Sequence, residues 1–245
     1  MPSTPELSVI IPVLNEEDAV IGLAEEIAAA LDGRAYEMIF VDDGSSDDTF
    51  ARLVSAKKTL PTLRILRHRE TAGQSRAIRS GVEAATGRVI ATIDGDGQND
   101  PADLPELYRQ LTRSDAPDRL GLVIGDRVDR RDNLAKRMGS VIGNRARQLF
   151  LKDQSAIRDS ACGIKVLPRA VFLRLPYFDH MHRFMPALVS ADGHTVEVRP
   201  VRHRPRSTGQ SKYTNIGRAF AGLADLRAVA WLAKRRRDPG GIEEG

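Results

Sequence analysis

The first half of the chain alternates between two hydrophobic periods, and no other feature restricts its possible folds as strongly. Short runs rich in β-branched residues are separated by segments with apolar residues at helical spacing, as in Val20, Leu23 and Ile27. The runs predict strands over 7–12, 36–41, 63–66, 89–93 and 120–124, with helices over 16–31, 46–58, 74–85 and 101–113. Because strands and helices alternate, we predict an α/β fold with a mostly parallel sheet covered on both faces.

The pattern becomes less regular after residue 126. It predicts a long helix over 133–151, a strand over 195–201 and a helix over 217–233. We therefore expect one main domain over 1–215, a C-terminal amphipathic helix over 216–237 and a disordered tail over 238–245.

Composition excludes several classes of protein. Apolar residues make up 41% of the chain and charged residues 29%, which are ordinary values for a globular protein. The single cysteine, Cys162, excludes a disulfide framework and a cysteine-rich zinc site. No apolar run approaches the roughly 18 residues of a membrane span, and residues 1–6 are polar. We therefore expect neither a membrane-spanning helix nor a signal peptide.

Charge is distributed unevenly. The net charge is +4, yet residues 199–237 contain eleven Lys and Arg residues and a single acidic residue, Asp225. The rest of the chain is consequently acidic. A basic C-terminal segment is typical of a chain with an anionic partner, such as nucleic acid, a phosphorylated substrate or a membrane surface. A solvated tail is the alternative interpretation.

Three of the predicted strands end in polar turns. These turns are Asn15-Glu16, Asp42-Asp43 and Asp94-Gly95-Asp96. Ligands of parallel sheets bind beyond the carboxyl ends of the strands, so we expect the three turns to meet on one rim.

The turn at residues 94–98 has the oxygen donors of a metal site. Asp94, Asp96 and Gln98 present two carboxylates and an amide at alternate positions, which suits Mg²⁺ or Mn²⁺ shared with substrate phosphates. A calcium EF-hand loop is excluded, because Asn99 and Pro105 stand where that loop needs Gly and Glu. No glycine-rich dinucleotide fingerprint follows the first strand, and the chain has no P-loop.

Two further interpretations of the acidic turns remain open. The carboxylates of Asp42 and Asp43 suit hydrogen bonds from a nucleobase or a ribose, and they equally suit a helix cap. Residues 94–97 also resemble the nucleophile motif of haloacid dehalogenase-like phosphatases, with residues 125–129 as a late acidic motif. Only about 30 residues separate the two segments, which is too short for the sheet between them in such an enzyme.

In their order along the chain, these motifs resemble those of family 2 glycosyltransferases. The matching segments are 9–16, 41–47, Gly73, Gly81 and 94–98, and the similarity extends over about residues 7–213. The branch it resembles is that of the dolichyl/polyprenyl-phosphate mannose synthase-like enzymes. The resemblance implies the GT-A fold, in which a Rossmann-like nucleotide-binding half adjoins an acceptor-binding half.

The resemblance also implies roles for individual residues. Those expected to bind the nucleotide-sugar are Pro12, Asn15, Glu16, Asp42, Asp43, Gly73, Asp94, Arg206 and Lys212. Those expected to hold the metal, Mg²⁺ or Mn²⁺, are Asp94, Asp96 and Gln98. Asp96 and Arg127 are the expected catalytic residues, and Arg127, Arg137 and Ser140, with Asn144, are expected to bind the acceptor phosphate.

The implied reaction is inverting, metal-dependent transfer of a sugar from GDP-mannose or a UDP-sugar to a polyprenyl phosphate. Residues 182–188 lack the acidic pair with which related enzymes deprotonate a sugar hydroxyl. An ionised phosphate needs no strong base, so this absence favours a phosphate acceptor. The alternatives are transfer to a soluble or glycan hydroxyl, and a non-catalytic module that binds nucleic acid.

Many polyprenyl-phosphate sugar transferases carry C-terminal transmembrane helices, and this chain departs from them. Its last predicted helix contains Trp231 and ends in the basic run 234–237. Such a helix either lies on an anionic membrane or packs on the core. We expect a peripheral protein on the cytoplasmic face of the membrane, without a nucleic-acid partner and with room for a separate membrane-protein partner.

Overall fold

A computed structural model describes residues 4–127, 162–205 and 215–235, with the backbone alone for 215–224. Its sheet contains seven strands. They are β1 (Leu7–Val13), β2 (Tyr36–Asp42), β3 (Leu63–Arg67), β4 (Val89–Thr92), β5 (Leu120–Arg127), β6 (Lys165–Pro168) and β7 (Thr195–Val201). All six strands predicted from the sequence are present, and β6 is an addition.

The strand order is β3-β2-β1-β4-β6-β5-β7. β1 pairs in parallel with β2 and β4, β2 with β3, and β5 with β7. β6 runs antiparallel between β4 and β5. The predicted α/β class with a mostly parallel sheet is therefore confirmed. β6 escaped prediction because four residues are too few to display a hydrophobic period.

Seven α-helices lie in the described part of the chain. They are α1 (Val20–Ala30), α2 (Thr49–Ala56), α3 (Gln74–Ala84), α4 (Leu104–Thr112), α5 (Arg169–Arg174), α6 (Met185–Ala191) and α7 (Asn215–Arg235). α1 begins four residues later than predicted, because the backbone before Val20 forms a turn. The helix predicted over 133–151 lies outside the described residues.

The core occupies both faces of the sheet. Every residue of β1 is buried, and the side chains of Ile10, Ile11 and Phe40 are fully enclosed. α3 approaches β1 closely at Gly81, where an added Cβ would lie 2.5 Å from Ile10 Cγ2. Each enclosed aliphatic or aromatic side chain contributes roughly 1.5–3 kcal/mol, so this packing fixes the sheet rigidly beneath its ends.

Glu37 secures the amino-terminal edge of the sheet. Its Oε1 accepts hydrogen bonds from Ser8 Oγ, Thr86 N and Thr86 Oγ1, each at 2.7 Å, and Arg64 pairs with Oε2. Burial raises the pKa of Glu37, but these donors outweigh it and lower the pKa to about 2. This edge is therefore structural, and it lies opposite the edge where the polar turns emerge.

None of the helices in the described ranges combines the length and hydrophobicity needed to cross a bilayer. α7 packs through Leu226, Val229 and Ala230, which are buried, while Trp231 remains 57% exposed.

Candidate functional site

The three polar turns meet at one edge of the sheet, as predicted. They follow β1, β2 and β4, which are neighbours in the sheet. Asp43 N donates to Val13 O at 2.9 Å, and Asn15 N donates to Ser45 Oγ at 2.9 Å. Gly95 packs so closely on β1 that an added Cβ would lie 2.8 Å from Pro12 O. Pro12, Asn15, Asp42, Asp43 and the 94–98 turn thus form one rim.

Asn15 and Glu16 shape the turn after β1. Asn15 has a left-handed backbone with φ of 55°, and its Oδ1 accepts from Ser46 N at 2.8 Å. Glu16 N donates to Thr49 Oγ1 at 2.9 Å. A non-glycine residue in this conformation is uncommon and is maintained by its surroundings. The two turns therefore hold each other in place.

Asp43 organises the loop before α3. Its Oδ1 accepts from Ala72 N at 3.0 Å and lies 2.6 Å from His68 Nδ1, while its Oδ2 accepts from Gly73 N at 2.8 Å. Gly73 has φ of 91°, which a residue with a side chain rarely adopts. Both carboxylate oxygens of Asp43 thus have partners in the protein, and direct contact with a nucleotide stays a prediction.

Asp42 differs from its neighbour. Its Oδ1 accepts from Ser45 N at 2.9 Å. Its Oδ2 is buried and, within the described residues, accepts no hydrogen bond, although Arg67 Nε lies 3.2 Å away as an ion-pair partner. A buried carboxylate oxygen without a hydrogen bond is costly. The Arg67 guanidinium thus compensates the charge of Asp42, and direct contact of Asp42 with a nucleotide stays a prediction.

Asp94 lies at the rim and is partly buried. Its Oδ1 accepts from Gln74 Nε2 at 2.8 Å, and Gly163 leaves no room for a side chain against it. Burial raises the pKa of Asp94, the Asp96 carboxylate adds to this effect, and the positive charges of Lys165 and Arg127 oppose it. Arg127, at the end of β5, is thus close enough to act electrostatically at the rim.

The donor set of this turn fits a metal shared with phosphates. Asp96 Oδ1 accepts from Gln98 N at 3.2 Å, which folds the turn so that Asp94, Asp96 and Gln98 follow one another at its surface. Within the described ranges, no cluster of three or more His, Cys, Asp or Glu side chains could enclose a metal. Mg²⁺ typically binds one or two carboxylates together with substrate phosphates, and this donor set meets that requirement.

Residues 202–204 brace the turn from behind. Arg204 N donates to Gln98 O at 2.8 Å, and Asn99 pairs with His203 as an isolated antiparallel bridge. The Arg204 guanidinium reaches Asp100 at 2.8 Å and Glu26 at 2.6 Å. This brace was not predicted from the sequence. The alternating Arg residues after β7 are the only signal for it in the sequence.

Several predicted site residues lie outside the described ranges. They are Arg137, Ser140, Asn144, Arg206 and Lys212.

Two basic side chains near the rim, one buried and one partly buried, are not among the site residues predicted from the sequence. Lys165 in β6 is 2% exposed, and its ammonium donates to Cys162 O. His182 Nδ1 lies 2.8 Å from Ser75 Oγ on α3. Burial, with the positive charges of Lys165 and Arg183 nearby, lowers the pKa of His182 to about 3. The imidazole is therefore neutral and joins two parts of the fold.

The family model for glycosyl transferase family 2 matches residues 8–173. A dodecaprenyl-phosphate galacturonate synthase from Rhizobium johnstonii is 34% identical over 96% of this chain and 69% of its own length. An undecaprenyl-phosphate 4-deoxy-4-formamido-L-arabinose transferase from Klebsiella pneumoniae is 31% identical over 87% of this chain and 64% of its own length. The chain thus spans about two thirds of these relatives.

Solved structures show the same fold. Glucosyl-3-phosphoglycerate synthase from Mycobacterium tuberculosis, in complex with Mn²⁺, uridine diphosphate and glucosyl-3-phosphoglycerate, superimposes with a TM-score of 0.71. The match covers 97% of this chain and 82% of that one at 18% identity. The GT-A fold expected from the sequence is confirmed.

Proposed function

The chain belongs to glycosyl transferase family 2, and on this basis we propose that it transfers a sugar from a nucleotide-sugar to a polyprenyl phosphate. The names of its relatives support this acceptor, since both act on a polyprenyl phosphate. One structural observation supports the proposal: the acidic turn at Asp42 and Asp43 and the two-carboxylate turn at Asp94 and Asp96 share one rim. A turn proposed for the base or ribose and a turn proposed for the diphosphate are thus near each other.

The nucleotide-sugar lies across this rim in our proposal. Asp42 and Asp43 lie at the base or the ribose, while Asn15, Glu16 and Gly73 shape the walls around it. Pro12 forms the floor where β1 ends. Arg206 and Lys212 bind the diphosphate from the segment that follows Arg204.

The metal is held by Asp94, Asp96 and Gln98. When bound, Mg²⁺ or Mn²⁺ supplies positive charge that stabilises the leaving diphosphate. The M. tuberculosis structures with Mn²⁺ or Mg²⁺ and uridine diphosphate support a divalent ion.

The acceptor phosphate enters from the β5 side. Arg127, Arg137 and Ser140 bind it there, because a guanidinium matches the geometry of phosphate oxygens. These cations offset the repulsion between two anions, and Arg127 stabilises the charge that develops as the sugar moves. The attacking phosphate oxygen is already ionised, so transfer with inversion requires no general base.

The direct test is an assay of labelled sugar transfer into an organic-extractable product. Purified protein is incubated with Mg²⁺ or Mn²⁺, undecaprenyl phosphate and labelled GDP-mannose, UDP-galacturonate or another UDP-sugar. We expect label in the organic phase with one donor and none when a chelator is added. Label confined to water-soluble products would contradict the proposal and favour a soluble hydroxyl acceptor.

A thermal-shift panel identifies the donor independently of the acceptor. A ligand that binds only the folded state raises the melting temperature with its affinity and concentration. We expect one nucleotide-sugar with metal to stabilise the protein more than all others.

For a lipid acceptor, we propose that the protein lies on the cytoplasmic face of a membrane, with α7 and the basic run 234–237 at the lipid surface. Basic residues contribute about 1 kcal/mol each near an anionic bilayer. Deletion of residues 234–245 should therefore weaken binding to anionic vesicles in a flotation assay, and raised salt should weaken that of the full chain. Unchanged vesicle binding after the deletion would remove this segment from the proposal.

A further inference from the structure

A groove of about 550 Å³ opens between α7 and the loop that follows α5. We call it the α7 groove and define it by Tyr177, Phe178, His180, Asp225, Trp231 and Leu232. Its volume lies within the range of small-molecule sites. The residues proposed above for the nucleotide-sugar, the metal and the acceptor phosphate do not line it.

Two exposed aromatic rings distinguish this groove. Among the described residues, the large hydrophobic side chains exposed to solvent are Val54, Tyr177 and Trp231, and the last two border the groove. Arg76 lies over the Tyr177 ring at 5.5 Å, and Arg235 lies over the Trp231 ring at 5.4 Å. An apolar groove with exposed aromatic walls complements a molecule with a hydrocarbon chain.

The groove borders the catalytic rim through the loop that forms its wall. An added Cβ on Gly73 would lie 3.3 Å from Asp179 Oδ1, and Ser75 contacts His182 at 2.8 Å. Between them on α3, Gln74 donates to Asp94. A molecule whose head occupies the rim therefore has this groove beside it.

Polarity changes along the groove. His180 Nδ1 lies 3.3 Å from Asp225 Oδ2, and His180 Nε2 lies 3.6 Å from Asp179 Oδ2. Both acids thus have an imidazole partner at the end where Asp179 adjoins Gly73. Leu232 follows Asp225 by seven residues on α7, which corresponds to about 10 Å along the helix axis. The groove is therefore polar beside the rim and apolar away from it.

We propose that the α7 groove binds the isoprene units next to the phosphate of the acceptor lipid. This inference rests on the proposed function, and it adds a site for the hydrocarbon chain. Burying hydrocarbon against Phe178, Trp231 and Leu232 favours binding by about 25 cal/mol for each Å² removed from water.

Trp231 makes this site directly observable, because it is the only tryptophan of the chain. Full-length protein is titrated with farnesyl phosphate below its micelle concentration, in buffer without lipid bilayers, and Trp231 emission is followed. We expect a saturable blue shift, which inorganic phosphate alone does not produce. No saturable change with farnesyl phosphate would overturn the proposal.

Matched variants locate the effect. Tyr177→Ser should weaken farnesyl phosphate binding at least about fivefold, because it removes an aromatic wall. In the transfer assay it should raise KM for the lipid by a similar factor and leave KM for the nucleotide-sugar unchanged. Val54→Ser removes an apolar side chain that is 46% exposed on α2 and should change neither value. Equal effects of the two variants would overturn the proposal.

One outcome distinguishes an isoprenoid site in the groove from a contact with the bilayer. A second outcome separates this site from the proposed sugar transfer. An effect of Tyr177→Ser that appears only with lipid vesicles would indicate a bilayer contact and overturn the chain-binding site. A saturable Trp231 response without sugar transfer to any polyprenyl phosphate would support the isoprenoid site and contradict the proposed function.

Discussion

Gly163 illustrates how a single residue positions the metal turn. It lies against the Asp94 carboxylate, and Thr92 Oγ1 donates to its carbonyl at 2.8 Å. A side chain at this position would have to displace Asp94, whereas the sheet beneath is closely packed and does not yield. The absence of a Cβ at residue 163 is therefore a requirement of the site.

We predict that Gly163→Ala lowers sugar transfer about 10- to 100-fold, in the range found when the support of a metal ligand is lost. Initial rates at saturating donor measure the effect, and the circular dichroism spectrum should stay that of the native fold. Gly22→Ala is the control, because nothing lies within 4 Å of its added Cβ on α1. That variant should keep full activity and gain about 0.5–1 kcal/mol of stability. Equal activity of both variants would contradict the assigned role of Gly163.

The sequence predicted the acidic residues of the rim, but only part of their chemistry. Asp42 and Asp94 were identifiable because each stands at the end of an apolar strand run. The partners of Asp43 were not, since backbone N–H groups at residues 72 and 73 leave no mark in a sequence. Lys165 and Gly163 were missed because they stand at or just before β6, which is too short to show a period.

At the scale of elements, the segment after β7 supports the metal turn from behind. It bonds to Gln98 through a backbone donor, and Arg204 ties Asp100 to Glu26 on α1. Burial raises the pKa of Asp100, but the Ala102 amide and Arg204 outweigh it, so the net shift is downward. The segment after β7 and α1 thus hold the 94–98 turn together.

We predict that Arg204→Ala lowers sugar transfer by about tenfold through a less rigid metal turn, while the apparent affinity for Mn²⁺ also falls. Titration of activity against metal concentration measures both effects. Arg109→Ala is the matched control, because Arg109 pairs only with Glu106 on the surface of the same helix among the described residues. A metal titration of Arg204→Ala identical to that of Arg109→Ala would contradict the bracing role.

The His182–Ser75 contact joins the loop after α5 to α3, and it predicts a pH effect on stability. The pKa of His182 is about 3 in the folded protein and about 6.5 in the unfolded chain. Between these values the unfolded state binds more protons, so stability falls as pH drops from 6.5 towards 3. The slope from this residue reaches about 1.4 kcal/mol per pH unit.

His182→Gln removes this titration and leaves a polar partner for Ser75. We expect the variant to lose stability more slowly than the original protein between pH 6.5 and pH 4. Urea unfolding at several pH values measures the difference. Parallel stability curves would show that His182 is not neutral in the folded state.

At the scale of the whole molecule, one edge of the sheet is structural and the opposite edge holds the candidate site. Glu37, with four hydrogen-bond donors, secures the amino-terminal edge, while the acidic turns at Asp42 and Asp94 lie at the other. The alternation of strands and helices predicted which edge this would be, because parallel strands expose their carboxyl ends together. It did not predict the α7 groove, since that surface joins two segments far apart in the chain.

The structure also shows where several basic residues of the C-terminal segment lie. Arg199, Arg202 and Arg204 pair with acids around the 94–98 turn and on α4. Arg235 instead lies over Trp231 at the edge of the α7 groove. A run that looked like one basic segment is thus divided between bracing the metal turn and edging a groove.

The metal dependence of sugar transfer in Asp96→Ala tests the central claim most directly. The protein and its variant are compared for transfer of labelled sugar to undecaprenyl phosphate across a Mn²⁺ titration, with Asp115→Ala, an exposed acid, as the control. We predict that Asp96→Ala keeps the native fold, loses at least about a hundredfold in transfer rate and no longer responds to Mn²⁺. The Asp115→Ala variant should keep full activity. Full, metal-dependent transfer by Asp96→Ala would contradict the proposed site.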